Sequence, residues 1–376
     1  MRKRGWGSAW LILSIPIVLL LAAVPPAHAD ISDGGGRLVE IQSDNGTWDF
    51  IVTGRTAGDA DGDENITGVT GLGLLAAFDE TDNEAFLDAA VSTGNHLLEV
   101  FRLNPTSRPF PQDIEFLAAL GDVSDLDRED RDAFEEAAED WFENLRREFP
   151  RARDLIEHFI EVRGTRKALT LWDAASVIRA ARAVGNRRYA RQVAALAVSR
   201  SITREVEDTV DNGPADQSFR DTLMSRGSML FALRRIGGGF TGSILRFRTF
   251  LVQNRESDGS WMEDTQVTAY ALLGLSAFGR GRVGRVRISD AIEEGVGFLE
   301  SMQLTTEPNG GFRSLLLTQE EKNAGFVEEE VSQVDSEAIQ ALAESGIADK
   351  RARKTASVSS GSGIGSSGLS PATPAK

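Results

Sequence analysis

Phe250-Leu251-Val252-Gln253-Asn254-Arg255-Glu256-Ser257-Asp258-Gly259-Ser260-Trp261 closes an apolar helical run on a glutamine and then turns on a glycine just before a tryptophan. Two other stretches end in the same way. They read Leu38-Val39-x-x-Gln42-x-x-x-Gly46-Thr47-Trp48 and Phe298-Leu299-x-x-x-Gln303-x6-Gly310-Gly311-Phe312. A unit that recurs at this size implies a fold made by stacking it, because one copy alone cannot bury its apolar face. Just beyond the first stretch, residues 266–279 are rich in small residues, apolar nearly all round, and ended by Gly279. A helix with no polar face is buried on every side. Five other runs are built alike, at 66–78, 112–121, 172–185, 224–237 and 333–346.

More amphipathic, charge-studded runs lie between them, at 84–103, 129–149, 187–205, 243–253 and 290–303. This alternation predicts an all-α protein with about six inner, buried helices and about six outer, solvated ones. Such hairpins close into an α/α toroid, since closure removes the end faces that an open stack must cap. The copies are degenerate: the interval between apolar runs is long from Gly121 to Gly185 and short from Gly237 to Gly279. An acidic run at 122–143 precedes a basic one at 151–191, and both read as solvated outer faces that pair with their neighbours.

The turns resemble the glutamine-tryptophan repeats of the squalene cyclase and prenyltransferase superfamily, across residues 38–346 and most sharply over 244–312 and 42–78. The resemblance implies a toroid in which Gln42, Gly46, Trp48, Gln253, Gly259, Trp261, Gln303, Gly310 and Phe312 are structural. The glutamine amide would bond free backbone groups at a helix end while its flat face packs on the aromatic ring. The superfamily's familiar chemistry has no counterpart here. The chain has no Asp-x-Asp-Asp acid motif, and its lack of cysteine removes a prenyltransferase zinc set, cysteine nucleophiles and thioesters.

The two ends read differently from the middle. Arg2, Lys3 and Arg4, an apolar stretch at 11–24 and Ala27-His28-Ala29 form a secretory signal, with Asp30 as the expected mature N-terminus. An uncleaved anchor is the alternative, because residues 9–24 approach spanning length. Without this leader the formal charge is -19, against -16 for the whole chain. Nucleic acid and anionic membrane surfaces are then poor partners. An exported chain without disulfides must rely on a large core, which the toroid at 30–348 supplies. The segment 349–376 begins basic and becomes rich in Ser, Gly, Ala and Pro, a composition that buries little and reads as a disordered tail.

Sites are harder to read. In a toroid the N-terminal ends of the inner helices converge on one mouth. Aligning their C-terminal ends puts Thr70, Gln112, Ser176, Ser228, Tyr270 and Glu337 at equivalent places, with Thr67, Trp172, Asp173, Arg226, Gln266 and Asp335 about one turn earlier. Trp172, Asp173, Arg226, Gln266, Tyr270, Asp335 and Glu337 are the candidate ligand-facing set, an aromatic and charged mixture suited to a small molecule or a glycan. The same residues could equally be a ring of helix caps. Asp59, Asp61, Asp63 and Asn65 alternate as calcium ligands would, but Glu64 replaces the expected turn glycine and Thr70 the final glutamate. A helix cap is the competing reading, and no other cofactor is implied. His96 and His158 lie in helical runs among apolar neighbours and read as packed or surface residues.

On this evidence the leading expectation is an exported binding or structural toroid that lacks the superfamily's catalysis. A secreted carbohydrate-active enzyme, either polysaccharide lyase or hydrolase, is the alternative, with Asp173 and Asp335 as a carboxylate pair. A divergent terpene cyclase comes third.

Overall fold

The computed structural model describes residues 31–52, 65–106, 110–207, 215–305, 310–315 and 330–361, with side chains described as far as Gly346. The signal segment, Asp59, Asp61, Asp63 and the tail beyond Gly361 lie outside them. Six apolar helices form an inner ring: α2 (Thr67–Thr81), α4 (Pro111–Gly121), α7 (Thr170–Ala183), α10 (Ala215–Ile236), α12 (Thr265–Ser276) and α14 (Ser332–Gly361). Each packs on the next, and α14 packs on α2, so the ring is closed. Around it stand α1 (Ile31–Glu40), α3 (Glu84–Leu103), α5 (Arg128–Glu148), α8 (Arg187–Ala197), α11 (Thr241–Gln253) and α13 (Ile288–Met302). The molecule is an α/α toroid, as the alternation of apolar and amphipathic runs predicts.

Five outer helices pack on the inner helix that precedes them in the chain. The sixth pair joins the two ends, since α1 packs on α14 as well as on α2. Two further helices depart from the regular pattern. The outer run expected at 187–205 breaks after α8 and continues as α9 (Arg200–Glu207). The long interval before Gly185 holds α6 (Ala152–Arg163), which a tight turn at Gly164–Leu169 joins to α7. A small hairpin of β1 (Arg282–Val283) and β2 (Val286–Arg287) precedes α13.

Inner helices with small faces can approach until backbones touch. At Gly227 of α10 an added Cβ would lie 2.2 Å from the Tyr270 carbonyl oxygen of α12, so only glycine permits that crossing. The outer helices are tied by their turns. Trp48 Nε1 donates to the Leu38 carbonyl and Trp261 Nε1 to the Leu251 carbonyl, both at 2.8 Å, so the indole satisfies a helix-end acceptor. The turn glycines Gly46, Gly259 and Gly310 have φ of 84°, 94° and 100°. A Cβ on each would strike the carbonyl of Ser92, Glu294 or Asp33, on α3, α13 and α1 respectively. Every turn thus docks on the following outer helix, and the last docks on the first.

The glutamines behave less uniformly than the resemblance implies. Gln42 donates to the Gly46 carbonyl at 3.3 Å, the Ala89 carbonyl at 3.0 Å and Thr93 Oγ1 at 2.9 Å, and Gln303 donates to the Gly310 carbonyl at 3.1 Å. Gln253 is exposed and takes no such part. With Trp48 matched to Trp261, the place of Gln42 falls on Arg255, which pairs with Glu294 of α13. A charged pair there replaces the amide tie.

Candidate active site

At the N-terminal mouth of the inner ring lies a cavity of about 620 Å³. Its wall takes Gln112 from α4, Trp172, Asp173 and Ser176 from α7, Arg220 from α10, Gln266 from α12 and Gln333 from α14. The irregular segment contributes as much, since α6 brings His158, Phe159, Val162 and Arg163, and the turn after it brings Arg166. Phe50 and Phe110 stand at the wall 41% and 46% exposed. Trp172 meets Tyr270 edge-on, ring centres 6.3 Å apart, and the Arg163 guanidinium lies 5.8 Å from the Trp172 ring.

Three arginines at the mouth are each matched by an aspartate at the N-cap or in the first two turns of an inner helix. Arg163 Nε donates to Asp173 Oδ2 at 2.7 Å, Arg166 Nε to Asp221 Oδ2 at 2.9 Å, and Arg220 Nε to Asp264 Oδ2 at 2.7 Å. In all three the second bond comes from Nη2, to Asp173, Asp221 and Gln266 respectively. Each Nη1, with two N–H donors, stays outside these pairings. The aspartates are buried, and Asp264 also caps α12 by accepting from the Val267 N–H at 2.9 Å. Burial pushes the Asp173 carboxyl up, an effect that the Arg163 hydrogen bond and charge and the nearby His158 offset only in part.

The floor is a buried polar column along the ring axis. Glu337 Oε1 accepts from the Tyr270 hydroxyl and from Gln333 Nε2, both at 2.7 Å. Burial raises Glu337 to about 7, although these bonds, Gln266 and the charge of Arg220 oppose the rise. Deeper, Arg179 Nε donates to Glu115 Oε2 at 2.8 Å, and Glu115 Oε1 accepts from Arg235 at the opposite mouth at 2.7 Å. The toroid is therefore filled at its centre and open at the mouth.

Of the sequence-predicted set, Trp172, Asp173 and Gln266 line the cavity, and Tyr270 and Glu337 lie beneath it against the lining residues Trp172 and Gln333. Gln112 and Ser176 are joined on the wall at 3.1 Å, while Ser228 lies 3.5 Å from Arg179 on the axis. Thr67 and Thr70 are buried in the first turn of α2. Arg226 is placed elsewhere, stacked 3.6 Å above the centre of the Phe250 ring against α11. Its helix begins nine residues earlier than the run at 224–237 suggests, which moves the mouth from Arg226 to Arg220. Asp335 also misses the cavity: it accepts from the Phe312 N–H at 2.6 Å beside Glu330, so it does not pair with Asp173. Arg163, Arg166 and Arg220 escaped the sequence reading, which took His158 for a packed or surface residue, and the long interval before Gly185 was the signal that extra residues sit there. Asn65 lies on the cavity wall, and among the described residues no cluster of three His, Asp or Glu side chains could hold a metal ion.

No protein-family profile matches the chain, and no curated protein matches its sequence. Solved structures do match. The unsaturated glucuronyl hydrolase of Bacillus sp. GL1, responsible for the degradation of glycosaminoglycan, has a TM-score of 0.56 at 14% identity, over 84% of this chain and 95% of that one. UGL with dGlcA-Glc-Rha-Glc gives 0.54 at 14%, over 83% and 94%, and an unsaturated glucuronyl hydrolase specific for heparin gives 0.52 at 9%, over 85% and 96%. The likeness is one of fold. It nonetheless corrects the expectation of a binding or structural toroid without catalysis. That expectation rested on absent cyclase and prenyltransferase motifs, and the toroids that this chain resembles are hydrolases, so those absences carry no weight against an enzyme.

Proposed function

We propose that the chain is a carbohydrate-active enzyme, a hydrolase of oligosaccharides that carry an acidic sugar, working at the N-terminal mouth of the ring. The observation that carries this reading is the composition of one cavity, where an aromatic platform, a buried carboxyl and three guanidinium groups with spare donors converge from four different segments. Trp172 would stack on a sugar face, and the Nη1 atoms of Arg163, Arg166 and Arg220 would bond a carboxylate or ring hydroxyls. The glucuronyl hydrolases of the same fold support an acidic glycan as substrate.

Glycoside hydrolysis needs a proton for the leaving oxygen and a base for the attacking water. Asp173 is the carboxyl on the wall, and its raised pKa suits a proton donor. Glu337, ionised above about pH 7, is the second carboxyl and would act as the base, joined to the cavity wall through Gln333, which donates to it at 2.7 Å. Glucuronyl disaccharides, saturated and unsaturated, should be cleaved by the wild type. Asp173→Asn and Glu337→Gln should each lower kcat at least about 100-fold, the usual worth of an acid or base, when assayed well below the melting temperature of each variant. Release of sugar that neither substitution slows would remove the reading.

The squalene cyclase resemblance is retained as a relationship of architecture, supported by the matched Trp48 and Trp261 turns. Export is proposed on the leader sequence; mass spectrometry should find a mature protein beginning at Asp30.

A further inference from the structure

The mouth arranges its polar and apolar groups in an unusual order. The inner helices supply the deeper polar groups, with Gln112, Asp173 and Ser176 buried and Arg220, Gln266 and Gln333 half-buried. Nearer to solvent, three large apolar side chains reach the same cavity from separate segments: Phe50 just beyond the Trp48 turn, Phe110 at the N-cap of α4 and Val162 near the end of α6. They are 41%, 46% and 66% exposed. Phe159 of α6 and Leu169 of the turn after it carry the apolar surface further in. Scattered singly, exposed apolar residues are ordinary, but gathered round one opening they mark a surface that a ligand or a partner covers.

The order of these groups describes the ligand. A sugar lowered against Trp172 finds hydrogen-bond partners on the inner helices, and whatever it is joined to comes to lie at the rim. A second sugar there would find few partners for its hydroxyls, since Phe50 and Phe110 offer only ring faces and Val162 only methyls. An alkyl or aryl group meets all three with no polar atom left unpaired, and leaves water in doing so. The cavity has room for both parts, because about 620 Å³ falls within the range of roughly 300 to 1,000 Å³ that drug-sized ligands occupy.

We propose that the substrate at this mouth is an acidic sugar linked to an apolar aglycone, alkyl or aryl, which Phe50, Phe110 and Val162 cover while the sugar is held below. The proposal rests on the glycan reading above and adds to it the chemical class of the leaving group. Water adds across the glycosidic bond, its hydroxyl to the sugar carbon and a proton to the bridging oxygen, and the apolar alcohol or phenol departs past the rim.

Calorimetry tests it with uncleavable thio-linked conjugates, in which glucuronate is joined through sulfur to an octyl group, to a phenyl group or to glucose. Apolar surface taken out of water is worth about fourfold in affinity per methylene, so the wild type should bind the octyl and phenyl conjugates at least about tenfold more tightly than the glucose conjugate. Phe110→Ser and Val162→Ser should each cut that preference about threefold or more, and the two combined with Phe50→Ser should abolish it. Leu103→Ser, at a residue of α3 that is 76% exposed but outside the cavity wall, should keep it. Apolar conjugates that bind no better than the glucose one, or a preference that survives the triple substitution, overturn the aglycone assignment and leave the glycan reading standing. A wild-type dimer in sedimentation that the triple variant dissociates gives the rim to a second copy of the chain and overturns the assignment as well. Failure of all three conjugates to bind the wild type overturns both readings.

Discussion

Trp261 is fully buried and its indole N–H closes the last turn of α11 on the Leu251 carbonyl. Replacing it with alanine should cost about 3 to 5 kcal/mol, as emptying a large aromatic site does, whereas phenylalanine keeps most of the volume and should cost about 1 to 2 kcal/mol for the lost hydrogen bond. Chemical denaturation measures both, and a nearly neutral Trp261→Ala would deny the turn its structural role. Asp335 gives a sharper test because its sign is unusual. Burial, reinforced by the Glu330 carboxylate beside it, holds its pKa well above the ordinary value in spite of the Phe312 N–H. A raised carboxyl binds its proton more tightly when folded, so its contribution is fullest below the unfolded value of about 4 and is lost as pH rises through the folded one. Glu337, raised to about 7, loses stability in the same direction, on the order of 3 kcal/mol between about pH 4.5 and 7. Stability should therefore fall from about pH 4.5 to pH 7, and Asp335→Asn, which keeps the shape and can still accept from Phe312, should flatten the fall. Thermal melts across that range decide it; an unchanged slope would show that Asp335 is ionised in the fold.

The turns that link outer helices make a different demand. Gly310 combines a φ of 100° with a site where a Cβ would sit 2.2 Å from the Asp33 carbonyl oxygen of α1. Gly310→Ala should destabilise by about 2 kcal/mol or more through strain and the enforced parting of α13 and α1, whereas Gly297→Ala, with nothing within 4 Å, should be neutral or stabilising. Equal stability of the two variants would remove the docking role of the last turn. These turns were legible in the sequence because tryptophan is rare in the chain and each aromatic ring follows its turn glycine by two positions. The inner helices were legible too, since a run such as 266–279 has no polar face to place in water. What escaped was α6. Its charged residues resemble any solvated helix, and only tertiary packing turns His158 and Arg163 toward α7. Arg226 misled for the opposite reason: alignment from the C-terminal ends assumes inner helices of equal length, and α10 is longer than its neighbours.

Across the whole molecule the carboxylates outnumber the cations, with 57 Asp and Glu against 41 Lys and Arg, and yet the mouth is balanced. The surplus lies elsewhere, including the opposite mouth, where Asp79, Glu80, Asp82, Asp122 and Asp125 surround Arg235. A long-range field of that sign repels anions, and it predicts that salt strengthens the encounter with an acidic glycan.

The closure of the ring governs the order in which it can form. Arg37 of α1 is buried and donates to Glu330 from Nε at 2.7 Å and from Nη2 at 2.9 Å, across 293 positions of chain. The first outer helix can pack on α2 early, but its contact with α14 must wait until nearly the last residues are made. Contacts so distant in sequence form late, because loop-closure entropy must be overcome before they stabilise anything. The Arg37 guanidinium cannot meet Glu330 until then, and the ring closes only when α14 arrives between α12 and α2. A chain that closes last on its own beginning remains threadable until it is complete, which is the state that passage through a translocation channel requires.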